Sequence, residues 1–159
     1  MFSSPGRIAE DLRRLLDGIR EMAEGRYACL IEPKGVLLES APLEAEGSWM
    51  LRRFLEQHAA ELFALPEAMA GAGPPQDLFD DWEQDEFFLA FLNGKVALVV
   101  ACPDAESLKQ QASRLLLVLA DRLLRYNSAW RMDQRGRGFF FGRPKLDMLV
   151  IGRAAPRDE

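Results

Sequence analysis

The chain contains a single histidine, His58, and that limits the chemistry open to it. Zinc sites built on two or three imidazoles, Ser-His-Asp triads and Cys-His pairs would all have to use that one ring, and no partner motif accompanies it. His58 falls in a helical pattern whose Leu51, Leu55 and Leu62 share its face. It therefore reads as a packed or half-exposed helical side chain with no assigned role. Cys29 and Cys102 stand inside apolar runs, where burial raises a thiol pKa and keeps the sulfur unreactive. They read as small core residues. The densest carboxylate cluster is Asp77, Asp80, Asp81, Glu83, Asp85 and Glu86. It has the oxygen ligands that Mg²⁺ or Ca²⁺ takes, but not the spacing of an EF-hand loop. Alternation with Leu78, Phe79 and Trp82 suits a solvated charged edge that discourages sheet aggregation, with an acidic docking patch as the other reading.

No Gly-x-x-x-x-Gly-Lys-Ser/Thr loop is present, and Gly136, Gly138 and Gly142 neither follow a clear strand nor open a helix. Phosphate cradling by backbone amides thus has no candidate. Arg131, Arg135, Arg137 and Arg143 interleave with Trp130, Phe139, Phe140 and Phe141, a mixture able to stack on single-stranded RNA. Packing of this segment against the rest of the chain is the better reading, because the net charge of −5 opposes general phosphate contact. No nucleophile, base and stabiliser can be assembled from the residue types in the sequence. The expectation is a non-catalytic protein without cofactor, metal site or nucleic-acid partner.

The charge is unevenly placed. Residues 127–159 hold seven basic and four acidic residues, a net of +3, so the first 126 carry −8. A chain of 159 residues with 48% hydrophobic and 28% charged residues falls in the range of one globular domain with its own core. The longest purely apolar run, Leu115 to Ala120, is far short of the ~20 residues that span a bilayer, and no basic-then-apolar secretory pattern opens the chain. Two cysteines form no disulfide framework. A reducing, cytoplasmic setting without membrane insertion is expected.

The elements that would position these residues follow from periodicity. Ser4 and Pro5 suit an N-cap and first helical residue, and Ile8, Leu12, Leu15, Leu16, Ile19 and Met22 recur at helical spacing until Gly25. Tyr27 to Ile31 and Val36 to Glu39 flank Glu32-Pro-Lys-Gly35 as a hairpin. A second helix with an aromatic face runs through Trp49, Leu51, Phe54, Leu55, His58, Leu62 and Phe63, with Ser48 as its cap, and Pro66 interrupts it. A strand near Leu78 to Trp82 follows. Phe87 to Leu92 and Val96 to Cys102 flank Asn93-Gly94, the strongest short-range hairpin signal. Pro103 and Asp104 stop that strand and cap a helix from Ala105 to Tyr126, whose sheet-facing stripe is expected at Leu108, Ala112, Leu115, Leu119 and Leu123. Phe139 to Phe141 and Leu146 to Ile151 then read as a further hairpin or an added strand. The fold class is mixed α/β: a five-stranded, mainly antiparallel sheet flanked by helices, in the order α-β-β-α-β-β-β-α plus that C-terminal hairpin. Residues 1–126 form the domain, and 127–159 a basic aromatic extension.

Two stretches carry a resemblance to a known family. They are Tyr27-Ala-Cys-Leu-Ile-Glu-Pro-Lys-Gly-Val-Leu-Leu-Glu-Ser40, and Leu92-Asn-Gly-Lys-Val-Ala-Leu-Val-Val-Ala-Cys-Pro-Asp104 leading into the last helix. From about Ile8 to Tyr126 the pattern resembles the Roadblock (dynein light chain) family. The resemblance implies a homodimer or heterodimer, a role in binding or regulating a Ras-like small GTPase or a scaffold protein, and an interface built from the second helix and the strand after it. The sequence departs from the family in its acidic, Pro-preceded segment at that strand and in the C-terminal extension.

Trp49, Phe54, Leu55, Leu62 and Phe63 give the second helix more apolar width than one sheet contact requires, and such residues are enriched at protein interfaces. With Leu78, Phe79 and Trp82 they are the interface candidates. The alternative is that they fill the core. Two rival functions fit the same elements: a ligand-sensing domain of PAS-like or GAF-like architecture, and an acidic secretion chaperone or adaptor.

Overall fold

The computed structural model describes residues 5–40, 45–67, 86–92, 95–112, 114–116, 118–119 and 146–151. Helix α1 (Pro5–Met22) leads into strands β1 (Tyr27–Glu32) and β2 (Gly35–Glu39), then helix α2 (Ala45–Phe63), strands β3 (Glu86–Leu92) and β4 (Val96–Cys102), and strand β5 (Leu146–Ile151). A further helical stretch covers 105–112, 114–116 and 118–119. The strands form one antiparallel sheet in the order β2-β1-β4-β3-β5. The fold class matches the sequence-based expectation, a mixed α/β chain with a five-stranded antiparallel sheet flanked by helices.

The fifth strand in the described sheet is 146–151, one of the two β-prone runs expected near the C-terminus, and it lies beside β3. The expected strand at Leu78 to Trp82, the run Phe139 to Phe141 and the residues 120–126 lie outside the described residues.

Helices cover both faces of the sheet. Leu12, Leu16 and Ile19 of α1 and Ala105, Leu108, Ala112, Leu116 and Leu119 of the last helix pack against Ala28, Leu30, Phe88, Ala90, Leu98 and Val100. On the opposite face Leu51, Leu55 and Leu62 of α2 pack with Tyr27, Cys29, Ile31, Phe87, Leu89, Phe91, Ala97 and Val99. Covering on both faces explains why β3 and β4 read as unbroken apolar runs and not as alternating ones; every residue of β4 is buried.

Two sequence-based placements are corrected. Helix α2 starts at Ala45, so Ser48 lies in its first turns and does not cap it. The stripe of the last helix runs through Leu116, not Leu115, which is only half-buried, and Val118 is exposed. Met22 ends α1 as its spacing placed it, and it is exposed there. After α1, Glu24 takes the left-handed position, with φ 53°. The Gly25 N–H donates to Arg20 O at 2.8 Å and the Glu24 N–H to Glu21 O at 3.1 Å, the double bond pattern that closes a helix C-terminus.

Gly25 is needed one step later for another reason: a Cβ there would sit 2.8 Å from Ala101 O. Glu24→Gly should therefore raise stability by up to about 1 kcal/mol, relief of left-handed strain outweighing the extra chain entropy. Urea unfolding at neutral pH checks this, and an unchanged or lower midpoint would contradict it.

Other expectations hold at the level of single bonds. The Asp104 carboxylate accepts from the Ser107 N–H at 3.0 Å, capping the last helix as expected. Lys95 N–H donates to Leu92 O at 3.1 Å, closing the turn between β3 and β4.

Candidate functional site

Among the described residues, the large hydrophobic side chains exposed to solvent are Met22, Trp49, Met50 and Val118. Two of them are adjacent on α2, so this helix is where the surface departs from a sealed monomer. Its inward stripe, Leu51, Leu55, Ala59 and Leu62, follows i, i+4, i+8, i+11 and is 0–2% exposed. The outward side carries Trp49, 59% exposed, and Met50, 50% exposed. The Arg53 guanidinium lies 5.4 Å from the Trp49 ring centroid, a cation–π contact that holds the indole over the helix surface.

A polar cluster ties α2 to the strands beneath it, and its geometry depends on an irregularity in β2. In the β1–β2 ladder Leu30 pairs with Leu38 but Ile31 with Val36, so Leu37 is the extra residue of a bulge. Val36 and Glu39, three apart in sequence, would otherwise face opposite sides; the bulge turns both toward α2. Glu39 then meets two partners, one of which reaches on to Glu56. The Tyr27 hydroxyl donates to Glu39 Oε2 at 2.5 Å, Arg52 Nη1 donates to Glu39 Oε1 at 2.9 Å, and Arg52 Nε reaches Glu56 Oε1 at 3.1 Å.

Burial pushes the Tyr27 phenol far up from its ordinary range, with smaller contributions from Cys29 and Glu39, so the hydroxyl keeps its proton and acts as donor. Burial likewise pushes up the Cys29 thiol, which leaves it an unreactive core residue. Hydrogen bonding to Glu56 and the charge of Glu39 hold the Arg52 guanidinium firmly protonated. Because Arg52 is half-exposed, its ion pairs contribute only about 0–1 kcal/mol each. The cluster's main effect is positional: it ties β1, β2 and α2 together, in agreement with the buried apolar stripe that sets which side of α2 faces inward.

Glu39→Ala would leave the buried Tyr27 hydroxyl without its acceptor, at a cost of about 1–3 kcal/mol, whereas Tyr27→Phe should cost only about 0.5–1.5 kcal/mol. The double variant should lose less than the two single losses added together, since both remove one shared contact. Equal losses for the two single variants in urea unfolding would show that the contact is not made.

The interface candidates divide by burial. Leu55 and Leu62 are 0% exposed and belong to the chain's own core. Phe54 and Phe63 are half-buried, Phe63 meeting Phe91 edge to face at 5.4 Å and Phe54 lying 4.9 Å from the His58 ring. Trp49 is exposed, while Leu78, Phe79 and Trp82 lie outside the described residues. His58 is half-exposed, its Nδ1 3.1 Å from Glu61 Oε1 on the same helix.

Of the acidic cluster only Glu86 is described, and its Oε1 accepts from the Ala105 N–H at 2.9 Å. That carboxylate helps to open the last helix. Among the described residues no three His, Cys, Asp or Glu side chains lie together as a metal site would need, and no helix is long and apolar enough to cross a membrane. Sequence reasoning missed Met50, Arg53 and the Tyr27–Glu39–Arg52 cluster. Only the Arg52–Glu56 spacing of i, i+4 was a readable signal.

No protein-family model matches the sequence, and no curated protein matches it. A solved chain described as "MglB with tetrameric arrangement" is similar to this one at 17% sequence identity and a TM-score of 0.36, over 86% of this chain and 96% of that one. Likeness of that degree carries no inference about activity or partners.

Proposed function

We propose that this chain is a non-catalytic protein-interaction module of Roadblock-like type that pairs with a second copy of itself through the outward side of α2. The observation that carries the reading is the neighbouring exposure of Trp49 and Met50. An exposed aromatic anchor of this kind is the usual centre of a protein interface. Phe54 and Phe63 flank that surface. The segment holding Leu78, Phe79 and Trp82 is proposed to extend it.

The proposed partner beyond the dimer is a Ras-like small GTPase or a scaffold protein. Support comes from the order of helices and hairpins and from the two stretches 27–40 and 92–104 that resemble the Roadblock family. Light scattering at tens of micromolar tests the first part, a dimer being expected and a strict monomer counting against it. Affinity capture of the native protein with GTP or GDP analogues present tests the second. Retention of a folded GTP-binding protein in a nucleotide-dependent manner is expected; retention of one secreted client would favour the chaperone reading instead.

A further inference from the structure

The edge of the sheet beyond β3 is occupied by the last strand of the chain. Strand β5 pairs antiparallel with β3 from Phe87↔Ile151 to Leu92↔Leu146, and in the described sheet it has no other neighbour. The two strands differ in how they are held. Phe87 to Leu92 of β3 are 0–1% exposed, whereas Asp147, Met148, Leu149 and Val150 are half-buried and Ile151 is buried. β3 therefore needs a strand on this edge to satisfy its backbone groups. β5 is held mainly by that one ladder, the kind of element that opens before the rest of a domain.

We propose that the β3 edge also accepts residues 146–151 of a second copy of this chain, so that two copies exchange β5 reciprocally. The partner's strand would make the same backbone bonds and the same side-chain contacts as the chain's own: Met148 and Val150 on the α1 face, Leu149 and Ile151 on the α2 face. Exchange of an identical element gains and loses nearly the same interactions, so its balance is set by the connection and the concentration. The connection is long. Residues 120–145 separate the last described helical residue from β5. At roughly 3.3–3.6 Å per residue, that stretch can reach on the order of 90 Å, well beyond the width of one domain.

This surface is distinct from the outward side of α2, and the experiment keeps the two apart. Cysteines are placed across the ladder in full-length protein carrying Cys29→Ala, Cys102→Ala, Trp49→Glu and Met50→Glu. Two double variants, Ala90→Cys with Met148→Cys and Leu89→Cys with Leu149→Cys, first show which pair closes within one chain; successive antiparallel pairs alternate in Cβ separation, so one suits a disulfide better. The two single-cysteine chains of that pair are then unfolded, mixed, refolded together at high concentration and oxidised. The expected result is a disulfide-linked species of twice the chain mass containing both chains, absent when either is refolded alone. Closure within the double variant but no cross-chain species after co-refolding would overturn the proposal. Failure of both double variants to close would overturn it too, by removing the β3–β5 register on which it stands.

Discussion

Replacing Trp49 and Met50 together by glutamate is expected to convert the proposed dimer, in natively isolated protein, into a monomer while leaving the fold intact. Both side chains are at least half exposed in the single chain, so the substitutions remove little from its own core and should change monomer stability by no more than about 0.5 kcal/mol. In a two-fold interface each substitution is felt twice, once from each copy. A buried tryptophan anchor contributes about 2 kcal/mol or more, so losing two of them weakens association on the order of 10³-fold, before the cost of desolvating four carboxylates is counted. Arg53 adds to the effect, because its cation–π contact disappears with the ring. Light scattering and thermal unfolding read the two halves of this expectation separately. Parent and variant of equal mass would remove α2 from the proposed interface; a variant that fails to melt cooperatively would show that Trp49 is structural after all.

The second large effect is a loss of stability in alkali, governed by two groups on β1. Tyr27 is 1% exposed and Cys29 0% exposed, and burial raises the pKa of both. The unfolded chain would release the thiol proton near pH 9 and the phenol proton near pH 10, while the folded chain keeps both. Above those values the unfolded state binds fewer protons than the native state, so stability is complete below pH 9 and falls as pH rises. Each group costs up to about 1.36 kcal/mol per pH unit, so between pH 9 and 11 the thiol removes about 2.7 and the phenol about 1.4 kcal/mol. That sum is a large part of a typical domain's 5–15 kcal/mol. Urea midpoints measured across this range should fall steeply in the parent and much less in Cys29→Ala with Tyr27→Phe. The double variant starts lower at neutral pH because it lacks the bond to Glu39, so slope and level must be compared separately. Equal slopes in the two proteins would contradict the account.

Much of the fold was legible because its signals are local. Pro5 sits at the first residue of α1, Asp104 caps the last helix, and the segments flanking Pro33-Lys34 and Asn93-Gly94 became paired strands within a residue or two of their expected ends. Each depends on the φ, the hydrogen-bonding side chain or the apolar period of a few adjacent residues. The candidate site was legible only in part. Trp49 and Leu55 carry the same apolar signal in sequence, yet one is 59% exposed and the other 0%. A helical period names a face without saying how wide the covering sheet is. Met50 was passed over because it adjoins the stripe, and Arg53 because a charge beside an aromatic looks like ordinary solvated surface.

Composition and spacing determined that this chain has one histidine, no Gly-x-x-x-x-Gly-Lys-Ser/Thr motif, two helix-hairpin units and a run of apolar and aromatic residues on its second helix. Those are properties of residue type and near neighbours, and near neighbours are fixed by the chain itself. The tertiary structure decided which side of that helix turns outward. The bulge at Leu37 swings Glu39 beneath α2, where it binds Tyr27 and Arg52, residues 12 and 13 positions away. It also decided that the strand at 146–151 lies along the edge of β3 that β4 leaves open. Both outcomes depend on backbone groups finding partners far along the sequence, where many pairings satisfy the same local pattern and only simultaneous packing of both sheet faces selects among them.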